Sequence, residues 1–403
     1  MEPEMKKMGK GTALATVILF AVFLLAFAAA FVILPDRTVS ETENRTLQTF
    51  PEWDWERWTD GTFADEMNAY FADQFPMRDK WVALKGLSGI LLGRNENNGV
   101  LLGADEQLGA YLFDACAGSS GYVEQTDGVS RALLEREAEA LKNVNDAFRE
   151  KEIPFTFLLA PRTLEVAVSS LAYPASAGEE LLTSFYGLLP DDLNAPRIIP
   201  LLRERYEAGE YVMYRTDHHW TTRGAYAAYC ALMESWGMGA DILPENSFTV
   251  ETVADFYGTA WSRAGLPFVG PDTLEIWTAK EGEPSYTVTD LDSGKELPGG
   301  LYSRSYLDGK DKYGVFLDGT HNRLLIRGDG TNGRETLLVA KDSFANCLIP
   351  FLARHFDLLV LNLSDGGDET NLTKYAEQYG CGRVLVLYGL ENAVTSYRLT
   401  GLR

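Results

Sequence analysis

The chain has 403 residues, 46% of them hydrophobic, which is enough to bury a large core in one domain or in a domain with a smaller companion. A formal net charge of -22 argues against a nucleic-acid binder, because a phosphate backbone would be repelled. The charge suits a soluble surface that meets neutral or cationic partners, and solubility alone accounts for it.

Residues 12–34 (TALATVILFAVFLLAFAAAFVIL) contain no charged side chain. A helix of that length, rising roughly 1.5 Å per residue, crosses a hydrocarbon core of about 30 Å. Lys6, Lys7 and Lys10 precede it and Asp36 follows Pro35. The positive-inside rule therefore places residues 1–11 in the cytoplasm and the bulk of the chain outside, as a single-pass protein of the cell membrane. Ala28-Ala29-Ala30 would also suit a signal peptidase. The apolar run exceeds the roughly 7–15 residues of a signal-peptide core, which favours an uncleaved anchor.

Residues 35–110 read as a stem and an N-terminal helical segment. Residues 36–60 are polar and extended, and Phe63, Met67, Tyr70 and Phe71 follow helical spacing. That pattern breaks at Phe75–Asp79 and restarts near Asp79, after Pro76.

Residues 111–403 read as an α/β domain. Leu133, Leu134, Leu141, Val144 and Phe148 predict a helix over 131–151, and Phe155–Ala160 predicts a buried strand. A helix at 198–208 and a strand at Tyr211–Tyr214 follow. The next helix, over 221–237, has Thr222 as its N-cap and Gly237 as its stop. Residues 245–311, rich in Thr, Val, Tyr, Gly and Pro, read as a mostly β insertion. The α/β rhythm then returns with strands at Arg323–Ile326, Thr336–Ala340, Leu358–Leu361 and Arg383–Tyr388, and helices from Phe344 and over 370–379. Near-continuous apolar strands separated by helices predict a parallel sheet covered on both faces.

Of the four cysteines, Cys230 and Cys347 lie on apolar helix faces and read as small core residues. An oxidising compartment leaves a Cys116–Cys381 bridge open, and the spacing of the four matches no zinc pattern.

Two stretches carry groups suited to chemistry. Arg215-Thr216-Asp217-His218-His219-Trp220-Thr221 holds two of the chain's four histidines beside an aspartate. In an extended or turn segment, residues two apart point the same way. Asp217 could then fix the tautomer of His219 and leave Nε2 to accept a proton. In Ala340-Lys341-Asp342-Ser343-Phe344-Ala345-Asn346, an apolar strand, a polar turn and a helix succeed one another. This order puts Ser343 at the carboxyl end of a strand, where the following helix's N–H groups could hold an oxyanion. The plain alternative is that Asp342 or Ser343 only caps that helix. Pro350 implies that the helix kinks or stops early. Asp217, His218, His219 and His321 are also metal-ligand types, but no HxxxH or HExxH pair occurs and no further aspartate motifs accompany them. No metal or cofactor is expected.

The Asp217-His218-His219-Trp220 string resembles the signature of the DHHW protein family. Glu43-Asn44-Arg45, Phe50-Pro51, the DQFPMRD stretch at 73–79, Asn98-Gly99-Val100, Leu159-Ala160-Pro161, Tyr313-Gly314-Val315-Phe316 and Lys341-Asp342-Ser343-Phe344 resemble the family's other segments in order, over roughly residues 36–390. That family is similar to the SGNH-hydrolase-like alginate O-acetyltransferases, whose Asp-x-His pair precedes the serine. The resemblance implies an SGNH-like sheet flanked by helices, with Ser343 as nucleophile, His219 as base and Asp217 as orienting carboxylate. It implies an extracytoplasmic O-acyltransferase acting on cell-envelope polysaccharide and supplied by a membrane-bound O-acyltransferase. A polysaccharide acetyl esterase and a non-catalytic glycan- or partner-binding surface protein are the alternatives. Oxyanion and substrate-binding candidates are Phe344, Gly319, Thr320, Asn322, His218 and Trp220. The chain has Thr320 where related sequences show Asn, and Lys341 where a Gly-Asp-Ser turn has glycine.

Overall fold

A computed structural model of the chain describes residues 10–40, 42, 45–110, 129–171, 175–329, 333–363, 371–395 and 398–403. It divides into two compact units, Met1–Ser88 and Gly89–Arg403. Cys116, Glu43 and Asn44 lie outside the described residues, and Cys381 is a free thiol.

In the first unit, helix α1 (Lys10–Ile33) takes up the apolar run, and none of the span is buried. The segment after it is more ordered than the expected extended stem. Strands β1 (Val39–Ser40) and β2 (Arg45–Thr46) pair antiparallel, and helix α2 (Trp55–Thr59) is capped by Asp54. Buried Asp73 organises this region by accepting hydrogen bonds from the Arg45 guanidinium and the Gln48 amide. Helices α3 (Thr62–Asp73) and α4 (Arg78–Leu91) are separated where Pro76 and Met77 (φ 59°) break the helical path.

The second unit begins with a three-stranded antiparallel sheet of β3 (Glu96–Asn97), β4 (Val100–Leu102) and β5 (Leu108–Ala110). Its centre is a seven-stranded sheet of order β10-β9-β11-β13-β12-β14-β6. The strands are β6 (Phe155–Ala160), β9 (Tyr286–Asp290), β10 (Lys295–Glu296), β11 (Arg323–Gly328), β12 (Thr336–Lys341), β13 (Asp357–Asn362) and β14 (Cys381–Gly389). Strands β13, β12, β14 and β6 run parallel, whereas β11, β9 and β10 pair antiparallel. The sheet is therefore mixed, not parallel as the apolar runs suggested. Only residues 329–335 separate β11 from β12, too few for the helical crossover that a parallel pair requires.

Both faces of this sheet are covered. Leu337, Val339, Leu358, Val360, Leu385 and Leu387 point to one core, while Leu338, Ala340, Leu359, Leu361, Val384 and Val386 point to the other. Helix α5 (Val129–Glu150) adds Leu141, Val144 and Phe148 to the second core. Helix α6 (Ile198–Glu207) contributes Ile198 and Leu202 to the first core and Ile199 to the second. Helix α7 (Thr222–Ser235) adds Tyr226, Tyr229 and Met233 to the first. The N-cap of α7 is Thr221, one residue earlier than expected; its hydroxyl accepts from the Gly224 amide at 3.2 Å.

The 245–311 stretch divides its strands. β7 (Phe248–Phe256) and β8 (Asp272–Ala279) form a separate antiparallel ribbon with helix α8 (Thr259–Ala264) between them, while β9 and β10 extend the large sheet. Tyr211–Tyr214 is not a strand. A single antiparallel bridge joins Met213 to Trp220 and closes a loop over residues 214–219.

Candidate active site

That loop is clamped from several sides. Thr216 donates from its amide and hydroxyl to Asp272 Oδ2, at 2.7 and 2.6 Å, and its carbonyl accepts from Trp261 N at 2.8 Å. The Leu108 amide of β5 donates to the Arg215 carbonyl at 2.9 Å. The loop thereby points Asp217 and His219 inward, and both are buried.

His219 Nδ1 lies 2.5 Å from Asp217 Oδ1, and the same oxygen accepts from the His219 amide at 3.0 Å. With Nδ1 turned to the carboxylate, Nε2 lies 2.8 Å from Ser343 Oγ. The remaining Asp217 oxygen accepts from the Thr259 amide at 2.8 Å and the Thr259 hydroxyl at 3.1 Å. A β-carbon on Gly258 would stand 2.3 Å from that oxygen, so a side chain there has no room. Burial works against an ionised Asp217, but the His218 and His219 imidazoles and the bonds from His219 and Thr259 hold its carboxyl well below the usual range.

Ser343 follows β12 by two residues, beyond the carboxyl end of a strand flanked by β13 and β14. Asp342 is fully buried and accepts from Phe344 N (3.1 Å), Gly389 N (2.6 Å) and Asn392 Nδ2 (2.8 Å), tying the serine turn to the end of β14. Burial raises its carboxyl against the pull of these bonds. Asp342 thus caps the turn, and Ser343 is left half-buried and facing His219. The helix expected from Phe344 is only a 3-10 turn over Ser343–Ala345, followed by helix α9 (Ile349–Ala353) with Pro350 in its first turn. So short a turn has little dipole, and its Phe344 amide is already engaged by Asp342.

Lys341 is buried and donates from Nζ to Asn346 Oδ1 at 2.8 Å, where a Gly-Asp-Ser turn would carry no side chain. Asn346 Nδ2 in turn faces the Gly319 carbonyl at 3.4 Å, linking the serine turn to the Leu317–Gly319 loop. All three residues of that loop have positive φ, at 60°, 59° and 81°. Thr320 and Asn322 are exposed, and Asn346 rather than Asn322 is the amide that reaches this loop. Trp220 is fully buried and donates from Nε1 to the Phe344 carbonyl at 3.0 Å, a supporting position behind the serine.

His218 Nδ1 lies 2.6 Å from Thr259 Oγ1, and burial with the neighbouring His219 ring pushes its pKa down to about 3 against the pull of Asp217. Asp217, His218 and His219 are the one group among the described residues whose ligand atoms converge within 4.8 Å. Both His219 nitrogens and His218 Nδ1 already have partners here, so an ion would have to displace those contacts. The Cys347 thiol near Tyr313 is pushed up to about 12 by burial, which leaves it a poor nucleophile.

Sequence reasoning missed Thr259, Gly258, Tyr313 and Asn392, which lie far along the chain from the groups they support. Tyr313 was visible only as part of a family segment. It stacks on His219 with ring centroids 4.1 Å apart and donates to the Ser343 carbonyl at 3.1 Å.

No curated protein is significantly similar in sequence. Among solved structures, Bacillus cereus PatB1 bearing a sulfonyl adduct is 19% identical with a TM-score of 0.58, over 74% of this chain and 96% of that one. A DHHW family protein from Eubacterium siraeum is 20% identical with a TM-score of 0.56, over 76% of this chain and 95% of that one. Both likenesses are of fold. The O-acetyltransferase domain of Pseudomonas putida AlgJ is 18% identical over 74% of this chain and 93% of that one; its TM-score of 0.45 is too low to carry the fold. The pattern of the DHHW protein family matches residues 185–361, which includes Tyr313–Phe316 and Lys341–Phe344 but not the resembling segments before residue 185. Over that stretch, which holds Asp217, His218, His219, Trp220 and Ser343, the chain is a match to the DHHW protein family.

Proposed function

We propose that the chain is an extracytoplasmic, SGNH-like O-acyltransferase that moves acetyl groups onto polysaccharide hydroxyls. The observation that carries this reading is the 2.8 Å approach of Ser343 Oγ to His219 Nε2, with Nδ1 of the same ring on Asp217. Ser343 Oγ attacks the donor's acyl carbon while its proton passes to His219 Nε2. The donor's leaving group departs with that proton, and the acyl group stays on Ser343. A sugar hydroxyl then gives its proton to His219 and attacks the acyl carbon, and His219 returns that proton to Ser343 Oγ as the acyl–serine bond breaks. The Ser343 amide, which donates to no described residue, is the oxyanion donor at the turn, with the Leu317–Gly319 loop opposite. Water in place of the sugar makes the same site an esterase.

Helix α1 is read as an uncleaved anchor, with residues 1–11 inside and the α/β domain of 111–403 outside. A membrane-bound O-acyltransferase would supply the acetyl group. The test is turnover of p-nitrophenyl acetate by the full chain and by Ser343→Ala. Loss by roughly three orders of magnitude or more is expected, with thermal stability unchanged. Equal turnover by the two chains would refute the nucleophile. Adding an oligosaccharide acceptor then separates acetyl-sugar from free acetate.

A further inference from the structure

The first unit exposes an unusual number of large apolar side chains for its size. Along α4, Trp81, Leu84 and Leu87 are spaced three apart and all exposed, with Leu84 at 54%, while the buried Gly86 lies on the other side of the helix. Phe75 and Met77, at the break before α4, are also exposed, Met77 at 55%. A contiguous face of this kind on a soluble surface marks something that covers it.

Contacts with α1 indicate what that cover is. Phe27 stacks on Phe75 with centroids 5.6 Å apart and lies 5.8 Å from the Trp81 ring. Phe31 meets Tyr70 and Phe71 at 5.7 and 5.5 Å. Phe27 stands six residues before Ile33, the last residue of the span, about 9 Å further down the helix axis. The 23-residue span is about 35 Å long against a hydrocarbon core of about 30 Å. Even if the whole excess of about 5 Å projects outward, Phe27 remains about 4 Å inside the apolar layer, and Phe75 and Trp81 are beside it.

We propose that the α3–α4 corner is seated in the outer leaflet of the membrane, with Phe75, Met77, Trp81, Leu84 and Leu87 facing lipid chains. The inference rests on α1 being a retained anchor. Lys85 borders the face beside Trp81 and Lys80 falls within it between Leu84 and Leu87, and the long lysine stems let the ammonium groups reach the headgroups. Aromatic and aliphatic side chains sharing one face, with lysines near it, are the composition of an interfacial helix. The corner then fixes how the segment leaving the bilayer is held, instead of leaving it as a free tether.

The experiment uses the full native chain in phosphatidylcholine vesicles containing a phosphatidylcholine with a photoactivatable diazirine in its acyl chain. After irradiation and digestion, adducts are mapped by mass spectrometry. The expected result is labelling of α1 and of the Phe75–Leu87 segment, the latter at least about fivefold above the α6 peptide. Leu84→Asp with Leu87→Asp should lower the second signal severalfold while α1 labelling and ester turnover stay unchanged. Labelling confined to α1 overturns the proposal and leaves the face to solvent or a protein partner. If α1 itself is unlabelled, or is absent from the mature chain, the anchor reading has failed and the proposal falls with it.

Discussion

Tyr313 lies against His219 with the two rings 9° from parallel, and the same phenol donates to the Ser343 carbonyl at 3.1 Å. One side chain thus restrains both the imidazole and the serine turn. Tyr313→Phe keeps the stack and removes the hydrogen bond, which is worth about 1 kcal/mol. Ester turnover is expected to fall roughly fivefold with the folded state retained. Tyr313→Ala also opens a cavity in the core and should cost about 3 kcal/mol in chemical denaturation. Unchanged turnover in the Phe variant would remove Tyr313 from any positioning role.

Asp217→Asn tests the carboxylate without changing its shape. The amide cannot serve both the His219 ring and the Thr259 amide as the carboxylate does, so the wrong tautomer is favoured. Turnover should drop on the order of 10³–10⁴-fold. The measurement is single-turnover acylation, with circular dichroism to check the fold. A drop of less than about tenfold would mean that His219 does not depend on this partner.

Gly258→Ala is a small change far from Ser343 in sequence. Its backbone φ of -86° suits any residue, so strain is not the obstacle. The added methyl would collide with Asp217, which must shift and carry His219 with it. Expected results are a loss of turnover of roughly 100-fold and a stability loss of about 1–3 kcal/mol. Normal activity in this variant would show that the loop yields without moving the carboxylate.

Glu137 on α5 is wholly buried, neither carboxylate oxygen has a hydrogen-bond partner among the described residues, and burial pushes its pKa up to about 10. The folded chain therefore holds a proton that the unfolded chain releases near pH 4–5. Its contribution is favourable below that pH and is lost as pH rises toward 10, at up to about 1.4 kcal/mol per unit. Glu137→Gln should flatten the fall in melting temperature between pH 5 and 9 and raise stability at pH 8. Parallel curves for the two chains would show that the carboxyl is not the source of the slope.

The groups placed together at Ser343 were legible because chemistry sat in short strings: Asp217 and His219 two apart, and Ser343 after an apolar strand. Strands β6, β12, β13 and β14 were legible for a related reason. Strands covered on both faces have no polar positions to interrupt them. The antiparallel edge was hidden because β9 and β11 are half-exposed and lie in or next to a stretch rich in turns. Tyr211–Tyr214 looks like a strand by composition, yet its burial comes from packing around a loop. Thr259 and Gly258 carry no local signal, since their importance arises only when the fold brings them to Asp217 from about 40 residues away.

Strand β12, which delivers Ser343, hydrogen-bonds on either side to β13 and β14, and both are synthesised after it. A polypeptide still emerging from the ribosome lacks those partners until about its last fifty residues have appeared. Its imidazole and hydroxyl are then held apart by an unfinished scaffold. Premature termination near residue 350 should consequently yield a product that is inert and, with apolar strand edges bare, prone to aggregate or to be cleared by proteases.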